Sequence, residues 1–219
     1  MPAPLVHNVV MNSRTPRWLP PVIGAVAFVA VLLGAGLIAG DWVKRNTEMR
    51  ALVTQVEVSE QAMEDTQQAV QDAFSGFEAK APLSEENRAA LDELLRDAAS
   101  AGLRKVTSAG DLVASVRPLP WHTDILEAQR AYLAHNQAWQ DYLAAAAQDP
   151  AEFGLTHDDV NSTFAAAERP MREALPSPDA FGLLAHLDRI FAPSPAVDSG
   201  PSAQAGGRSP AVSLATVAR

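Results

Sequence analysis

One uncharged stretch near the start of the chain constrains the fold more than any other feature. Residues 18–40 include no charged side chain and consist mostly of Val, Ala, Leu, Ile and Gly. As a helix, this stretch would be about 34 Å long, enough to cross a hydrocarbon core about 30 Å thick. Trp18 and Trp42 bracket it, as interfacial aromatic residues do. We therefore predict a single transmembrane helix over 18–40, preceded by a short N-terminal flank over 1–17.

A cleaved signal peptide is the strongest alternative for this segment. Its apolar core would span about 7–15 residues and end in a small-residue cleavage site. The stretch here is longer, and its small-residue triplets at 34–36 and 37–39 match such a site poorly. A retained signal-anchor in the cell membrane is therefore the favoured interpretation. The numbers of Lys and Arg residues on the two sides of the segment are nearly equal, so the positive-inside rule does not decide its orientation. The short stretch before the anchor favours a cytoplasmic N-terminus with the large domain outside.

Small residues recur within the predicted span at the spacing of a helix-packing motif. Ala30 and Gly34, and Gly36 and Gly40, are each separated by four positions. Such residues let two membrane helices approach closely, so they predict a packing face for a homodimer. The alternative is that Gly and Ala are simply common in membrane helices.

Charge and composition exclude several classes of function. The formal charge is −9, from 17 basic and 26 acidic residues, so nucleic acid is not an expected partner. The chain contains no cysteine, which excludes disulfides, thiolate metal sites and a cysteine nucleophile.

Beyond the anchor, residues 41–191 show helical periodicity and no strand pattern. Ser59 and Thr66 occupy the companion position of the first heptad stripe, which argues against a strict two-stranded coiled coil. We therefore predict an all-α fold with an antiparallel helical bundle, and a coiled coil between chains is the alternative. The first stripe recurs every seven residues at Trp42, Met49, Val56, Met63, Val70 and Phe77.

Helix-capping and helix-breaking residues divide the remainder of the chain into further helices. Ser84 is a plausible N-cap, and the helix after it could break near Gly102 or Gly110. A third helix is expected to begin near Thr123 and to end before Pro150. Its apolar stripe comprises Ile125, Ala128, Tyr132, His135, Trp139, Tyr142 and Ala146.

The last two predicted helices carry less regular signals. Thr156 and Asp159 fit a capping box, and Pro170 should kink or divide the helix that follows. Ser177 followed by Pro178 predicts the start of a short final helix. From residue 192 to 219, Pro, Ser, Gly and Ala supply 19 of 28 residues, which predicts a disordered tail.

No catalytic or cofactor motif occurs, so neither an enzyme nor a cofactor or metal site is predicted. Two features could bind a partner or ligand: the loop at Trp121 and His122, and the helix face at His135 and Trp139. The structural alternatives are a tryptophan that packs over the end of the bundle and a hydrogen-bonded core histidine. The favoured function is a membrane-anchored envelope scaffold or adaptor that contacts the lipid bilayer and an unknown protein partner. The alternative is a membrane-tethered, sensor-like domain that binds a small ligand or a metal.

Overall fold

The structure, a computed structural model, describes residues 19–78, 83–155 and 157–192, without the side chains of 19–30, 32, 33 and 78. These residues form helices and no strand, which confirms the predicted all-α class. A 3₁₀ helix over Pro150–Gly154 lies between the third and fourth α-helices. The five α-helices are α1 (Leu19–Glu78), α2 (Glu85–Ser115), α3 (Thr123–Gln148), α4 (Asp158–Glu173) and α5 (Leu183–Ile190).

The predicted membrane span falls mostly on side chains outside this description. The backbone of 19–40 is helical, but the side chains of 19–30, 32 and 33 are not described. Across the helices as far as they are described, no stretch is both long and apolar enough to cross a membrane. The structure therefore gives no support to the predicted transmembrane helix. The flank over 1–17 and the tail over 193–219 lie outside the described residues.

The chain divides into two compact units, Met1–Val43 and Lys44–Arg219. In the first unit, no atom lies within 4 Å of a Cβ built on Gly34, Gly36 or Gly40. The side chain of Ala30, the fourth member of the predicted packing face, lies outside the described residues. The homodimer face therefore stays a prediction.

Cross-helix contacts in the second unit fix the direction of its first helices. Glu48 of α1 contacts His122 at the start of α3. Further along both helices, Ser59 of α1 contacts Asn136 of α3. Residue numbers rise together in these pairs, so α3 runs parallel to the part of α1 that it contacts.

The second helix runs against the third. Gln129 donates a hydrogen bond to the Val113 carbonyl at 2.8 Å, and Thr107 donates to Gln140 at 3.2 Å. Residue numbers rise on α3 as they fall on α2, so the two helices are antiparallel. Consecutive antiparallel helices joined by short loops form the up-and-down arrangement of a helical bundle.

The buried side chains of the bundle form two hydrophobic clusters separated by a polar layer. The first cluster includes Met49, Leu52, Val56, Tyr132, Met171 and Leu187. The second includes Met63, Val70, Val106, Trp139, Tyr142 and Phe153. Between the two clusters along the helices lie Ser59 and Glu60 of α1, His135 and Asn136 of α3 and Thr163 of α4. We call these five residues the polar layer.

The apolar stripe predicted for α3 is confirmed in full. All seven of its residues, from Ile125 to Ala146, are buried. Four residues of the α1 stripe are also buried, and its ends, Trp42 and Phe77, are half-buried. The α1 stripe packs within its own chain, which confirms the bundle interpretation.

The helix α2 continues through both of its glycines without a break. A Cβ on Gly102 would lie 2.3 Å from Cγ2 of Thr66, and one on Gly110 would lie 2.3 Å from Oδ1 of Asn136. The glycines therefore make room for polar side chains of neighbouring helices. The predicted break is absent because these contacts hold α2 against α1 and α3.

The predicted start of the last helix is wrong by several residues. The helix α5 begins at Leu183, after Gly182 in the left-handed region at φ +67°. The carboxylate of Asp179 accepts hydrogen bonds from the backbone N–H groups of Phe181 and Leu184 at 3.1 and 3.0 Å. These bonds hold residues 179–182 as a turn, so the helix begins only after that turn.

The fourth helix begins near its predicted start and is not divided at its proline. It begins at Asp158, with His157 as its N-cap residue, and Thr156 lies outside the described residues. Pro170 lies inside the helix, which continues to Glu173 without being divided there. Pro170 has no N–H to donate to the Ala166 carbonyl, and the helix continues for three more residues beyond it.

Candidate functional site

The four predicted binding residues do not form one site. His122 precedes α3 and His135 lies thirteen residues further along, about 20 Å at the rise of an α-helix. Trp121 and His122 therefore belong to one end of the bundle. His135 and Trp139 lie one turn apart inside it, and both are buried.

Trp121 and His122, in the loop between α2 and α3, differ sharply in solvent exposure. Trp121 leaves 65% of its surface exposed, whereas His122 is buried. Nδ1 of His122 lies 2.5 Å from Oε2 of Glu48, and the same oxygen accepts a hydrogen bond from the backbone N–H of Leu119 at 3.2 Å. Glu48 thus fixes the loop against α1 and leaves Trp121 at the surface.

The polar layer places a carboxyl and an imidazole beside the phenol of Tyr132 inside the bundle. The Tyr132 hydroxyl donates to Oε1 of Glu60 at 2.7 Å, and Nε2 of His135 lies 3.7 Å from the same oxygen. On its other side, Nδ1 of His135 lies 3.3 Å from Oγ1 of Thr163. His135 is therefore buried and in contact with polar groups of both α1 and α4.

Burial shifts the titration of this group strongly. Burial raises the pKa of Glu60 to about 7, although the hydrogen bond from Tyr132 acts in the opposite direction. Burial lowers the pKa of His135 to about 4, with a smaller opposing effect from a hydrogen bond to the Val160 backbone. Between about pH 4 and pH 7, both groups are therefore neutral in the folded protein. A neutral pair avoids the cost of an ionised group in the interior.

The neighbouring amide of Asn136 connects three helices. Its Nδ2 donates to Oγ of Ser59 at 3.0 Å and to the Val106 carbonyl at 3.1 Å. Its Oδ1 accepts a hydrogen bond from Gln140 at 2.6 Å. Both sides of the amide are satisfied, so it serves to position α1, α2 and α3 relative to one another.

A small cavity lies beside the second hydrophobic cluster. It is lined by Trp139, Tyr142, His157, Val160 and Asn161 and has a volume of about 10 Å³. That volume is about the minimum for a single water molecule. This cavity therefore offers room for about one water molecule.

All four histidines of the described residues lie within 4 Å of a glutamate oxygen. His122 pairs with Glu48, His135 with Glu60, His157 with Glu152 and His186 with Glu57. Sequence reasoning missed every glutamate partner, because three of the pairs join residues more than seventy positions apart. One clue was available: Glu48 and Glu60 adjoin the apolar stripe of α1.

The described side chains contain no group of three or more His, Asp or Glu residues suited to hold a metal ion. The polar layer can accept or release a proton at Glu60. Comparisons with protein-family models, with curated proteins and with solved structures found no match.

Proposed function

We propose that this chain is a single-pass membrane-anchored helical protein that acts as a non-enzymatic envelope scaffold or adaptor through protein–protein binding. The observation that carries the proposal is the uncharged stretch over 18–40, followed within five residues by Lys44 and Arg45 and then by a helical bundle. An anchor of this length with basic residues at its edge is typical of a retained membrane span.

The interior of the bundle supports a binding role over catalysis. The polar side chains at Glu48, Glu60 and Asn136 are engaged by partners on other helices. An enzyme needs polar groups that converge on an open cleft. Groups that satisfy one another in a closed interior stabilise a particular helix arrangement, and they leave the outer surface for recognition.

Membrane extraction tests the anchor. We expect the full chain to stay in the membrane pellet under alkaline carbonate and to move to the supernatant when Leu37→Arg is combined with Val31→Arg. A matched variant, Leu94→Arg with Leu112→Arg, changes two exposed leucines of α2 and should stay in the pellet. Recovery of the unmodified chain in the supernatant would refute the anchor.

Protease accessibility tests the orientation, and crosslinking tests the adaptor role. With the N-terminus inside, the bundle should be digested in intact spheroplasts and protected in inside-out vesicles. Crosslinking of the full chain in native membranes should attach a defined second protein or a second copy of the chain. A chain that stays monomeric and uncrosslinked at all exposed lysines would contradict the adaptor role.

The alternative is a membrane-tethered domain that binds a small ligand or a metal. The proton-binding group at Glu60, Tyr132 and His135 is the observation that favours it. A thermal melt against a panel of divalent metals and small carboxylic acids tests this alternative, since a ligand that binds only the folded chain raises its stability. An unchanged melting temperature across the panel would remove its support.

A further inference from the structure

Two aromatic side chains are exposed among those that the structure describes. Trp121 leaves 65% of its surface open to solvent, and Phe181 leaves 41%. The other described aromatic residues of the bundle are buried or half-buried. Large exposed aromatic groups on a folded domain often mark an interaction surface.

Both aromatic residues lie at the same end of the bundle. Trp121 immediately precedes His122, which contacts Glu48. The Phe181 ring lies 4.8 Å from the guanidinium carbon of Arg50. Positions 48 and 50 are about 3 Å apart along the axis of α1, so the two loops reach the same level of the bundle.

This end also carries basic side chains. Lys44, Arg50 and Arg117 are exposed there. The acidic side chains nearby are already engaged. Glu48 contacts His122 and lies 3.8 Å from Nζ of Lys44, and Asp124 forms an ion pair with Arg45. Asp179 accepts the backbone N–H groups of Phe181 and Leu184. The exposed guanidinium groups at this end are those of Arg50 and Arg117.

A bilayer surface is the partner that this chemistry matches. Tryptophan rings favour the headgroup level of a membrane, and Lys and Arg next to them attract anionic lipids. We propose that the basic aromatic end of the bundle, formed by Trp121, Phe181, Leu184, Lys44, Arg50 and Arg117, rests on the headgroup layer of an anionic phospholipid bilayer. The inference rests on the proposed anchor, because residue 44 follows the uncharged stretch by only four positions.

A bilayer fits this end better than a second protein does. Lys44 and Arg50 lie four and ten residues beyond the proposed span along α1, and the two aromatic residues reach the same level through His122 on Glu48 and Phe181 on Arg50. Other exposed apolar side chains of the bundle, such as Leu94 and Leu155, are single leucines away from this end. A protein partner of the adaptor remains free to bind those other surfaces.

The absence of cysteine makes a site-specific test straightforward. The full chain would be reconstituted in vesicles of phosphatidylcholine and phosphatidylglycerol that contain a lipid-borne spin quencher. Single variants Pro120→Cys and Leu184→Cys place a fluorescent label beside Trp121 and Phe181. Leu94→Cys and Leu155→Cys are matched controls, since both positions are exposed leucines elsewhere on the bundle.

We expect the labels at 120 and 184 to lose about half of their emission and the control labels to lose little, because headgroup-level residues lie near the lipid quencher. Arg117→Glu should reduce that quenching, and Arg104→Glu, at another exposed arginine, should not. Equal quenching at all four labels would overturn the proposal.

The outcomes separate this inference from the anchor. If the chain floats with the vesicles but labels 120 and 184 stay bright, the bilayer contact is refuted and the anchor stands. If either label quenches itself between copies instead of responding to lipid, the surface contacts a second copy and the proposal is also refuted. If the chain does not float at all, both the anchor and this inference fail.

Discussion

His122 and Glu48 form a buried pair in which Nδ1 of the imidazole lies 2.5 Å from Oε2 of the carboxylate. The two residues are 74 positions apart, and their contact joins the α2–α3 loop to α1. The same carboxylate also accepts the backbone N–H of Leu119, so a single side chain holds two points of the loop.

Loss of this pair should destabilise the bundle. Glu48→Ala leaves His122 and the Leu119 N–H buried without their acceptor, and we expect a loss of about 3 kcal/mol in unfolding free energy. Denaturant unfolding of the full chain in detergent, followed by circular dichroism, measures this loss. The control Glu64→Ala removes an exposed glutamate of the same helix and should change the free energy by less than about 0.5 kcal/mol. Equal effects of the two variants would show that the pair contributes little.

The opposite pKa shifts of Glu60 and His135 predict an unusually flat pH profile. A carboxyl whose folded pKa is raised to about 7 contributes stability at low pH that is lost as pH rises from about 4.5 to 7. An imidazole whose folded pKa is lowered to about 4 contributes stability at high pH that is lost as pH falls from about 6.5 to 4. The two contributions oppose each other across this window and should largely cancel.

Single variants should expose each half of this balance. In Glu60→Gln the effect of His135 remains, so unfolding free energy should rise with pH between about 4 and 6.5. In His135→Gln the effect of Glu60 remains, so unfolding free energy should fall as pH rises between about 4.5 and 7. Denaturant titrations at several pH values measure both slopes. Parallel profiles for the two variants would contradict the assignment.

Gly102→Ala should destabilise the protein although alanine favours helix. The new Cβ would lie 2.3 Å from Cγ2 of Thr66, a β-branched side chain that cannot turn away easily. We expect a loss of about 1–3 kcal/mol, the usual range for overpacking. Combining Gly102→Ala with Thr66→Ala removes both clashing atoms, Cγ2 at 2.3 Å and Oγ1 at 2.8 Å, and should restore part of the stability.

A helix glycine without neighbours provides the control. No atom lies within 4 Å of a Cβ built on Gly76, which is also helical. Gly76→Ala should therefore stabilise the chain by up to about 1 kcal/mol, the difference in helix propensity. If Gly102→Ala also proved stabilising in thermal melts, the close approach of Thr66 would be refuted.

Asn136→Asp should reveal the role of the amide between the helices. The substitution keeps the shape but replaces the Nδ2 donor to Ser59 and the Val106 carbonyl with an acceptor. We expect a loss of about 3 kcal/mol at neutral pH, because a buried carboxylate would face a carbonyl oxygen. Protonation in acid should recover part of that loss. Gln71→Glu adds the same charge at an exposed site of α1 and should show neither effect in the same unfolding experiments.

The sequence predicted those elements whose signals are local. The α3 stripe is confirmed because its apolar residues alternate in steps of three and four along one uninterrupted helix. Ser84 is confirmed as an N-cap, since its Oγ accepts the backbone N–H of Asn87 at 3.2 Å. In both cases a few neighbouring residues carry all the information that the structure needs.

The features that were missed depend on residues far apart in the chain. Gly102 suggested a weak point in α2, but Thr66 on α1 gives that glycine its function as a contact. The partner of His135, Glu60, cannot be identified before α1 and α3 are placed side by side. Ser177 and Pro178 predict a helix start, but Asp179 stabilises a turn there, and the helix begins only at Leu183.

The fit of Thr66 against Gly102 limits how α1 can travel along α2. A shift by one helical turn, about 5.4 Å, would bring Met63 or Val70 opposite the glycine. Neither side chain fits in a gap that already lacks space for a methyl group. Steric overlap at Gly102 therefore opposes sliding of α1 along α2. A rearrangement of these two helices would first have to move them apart.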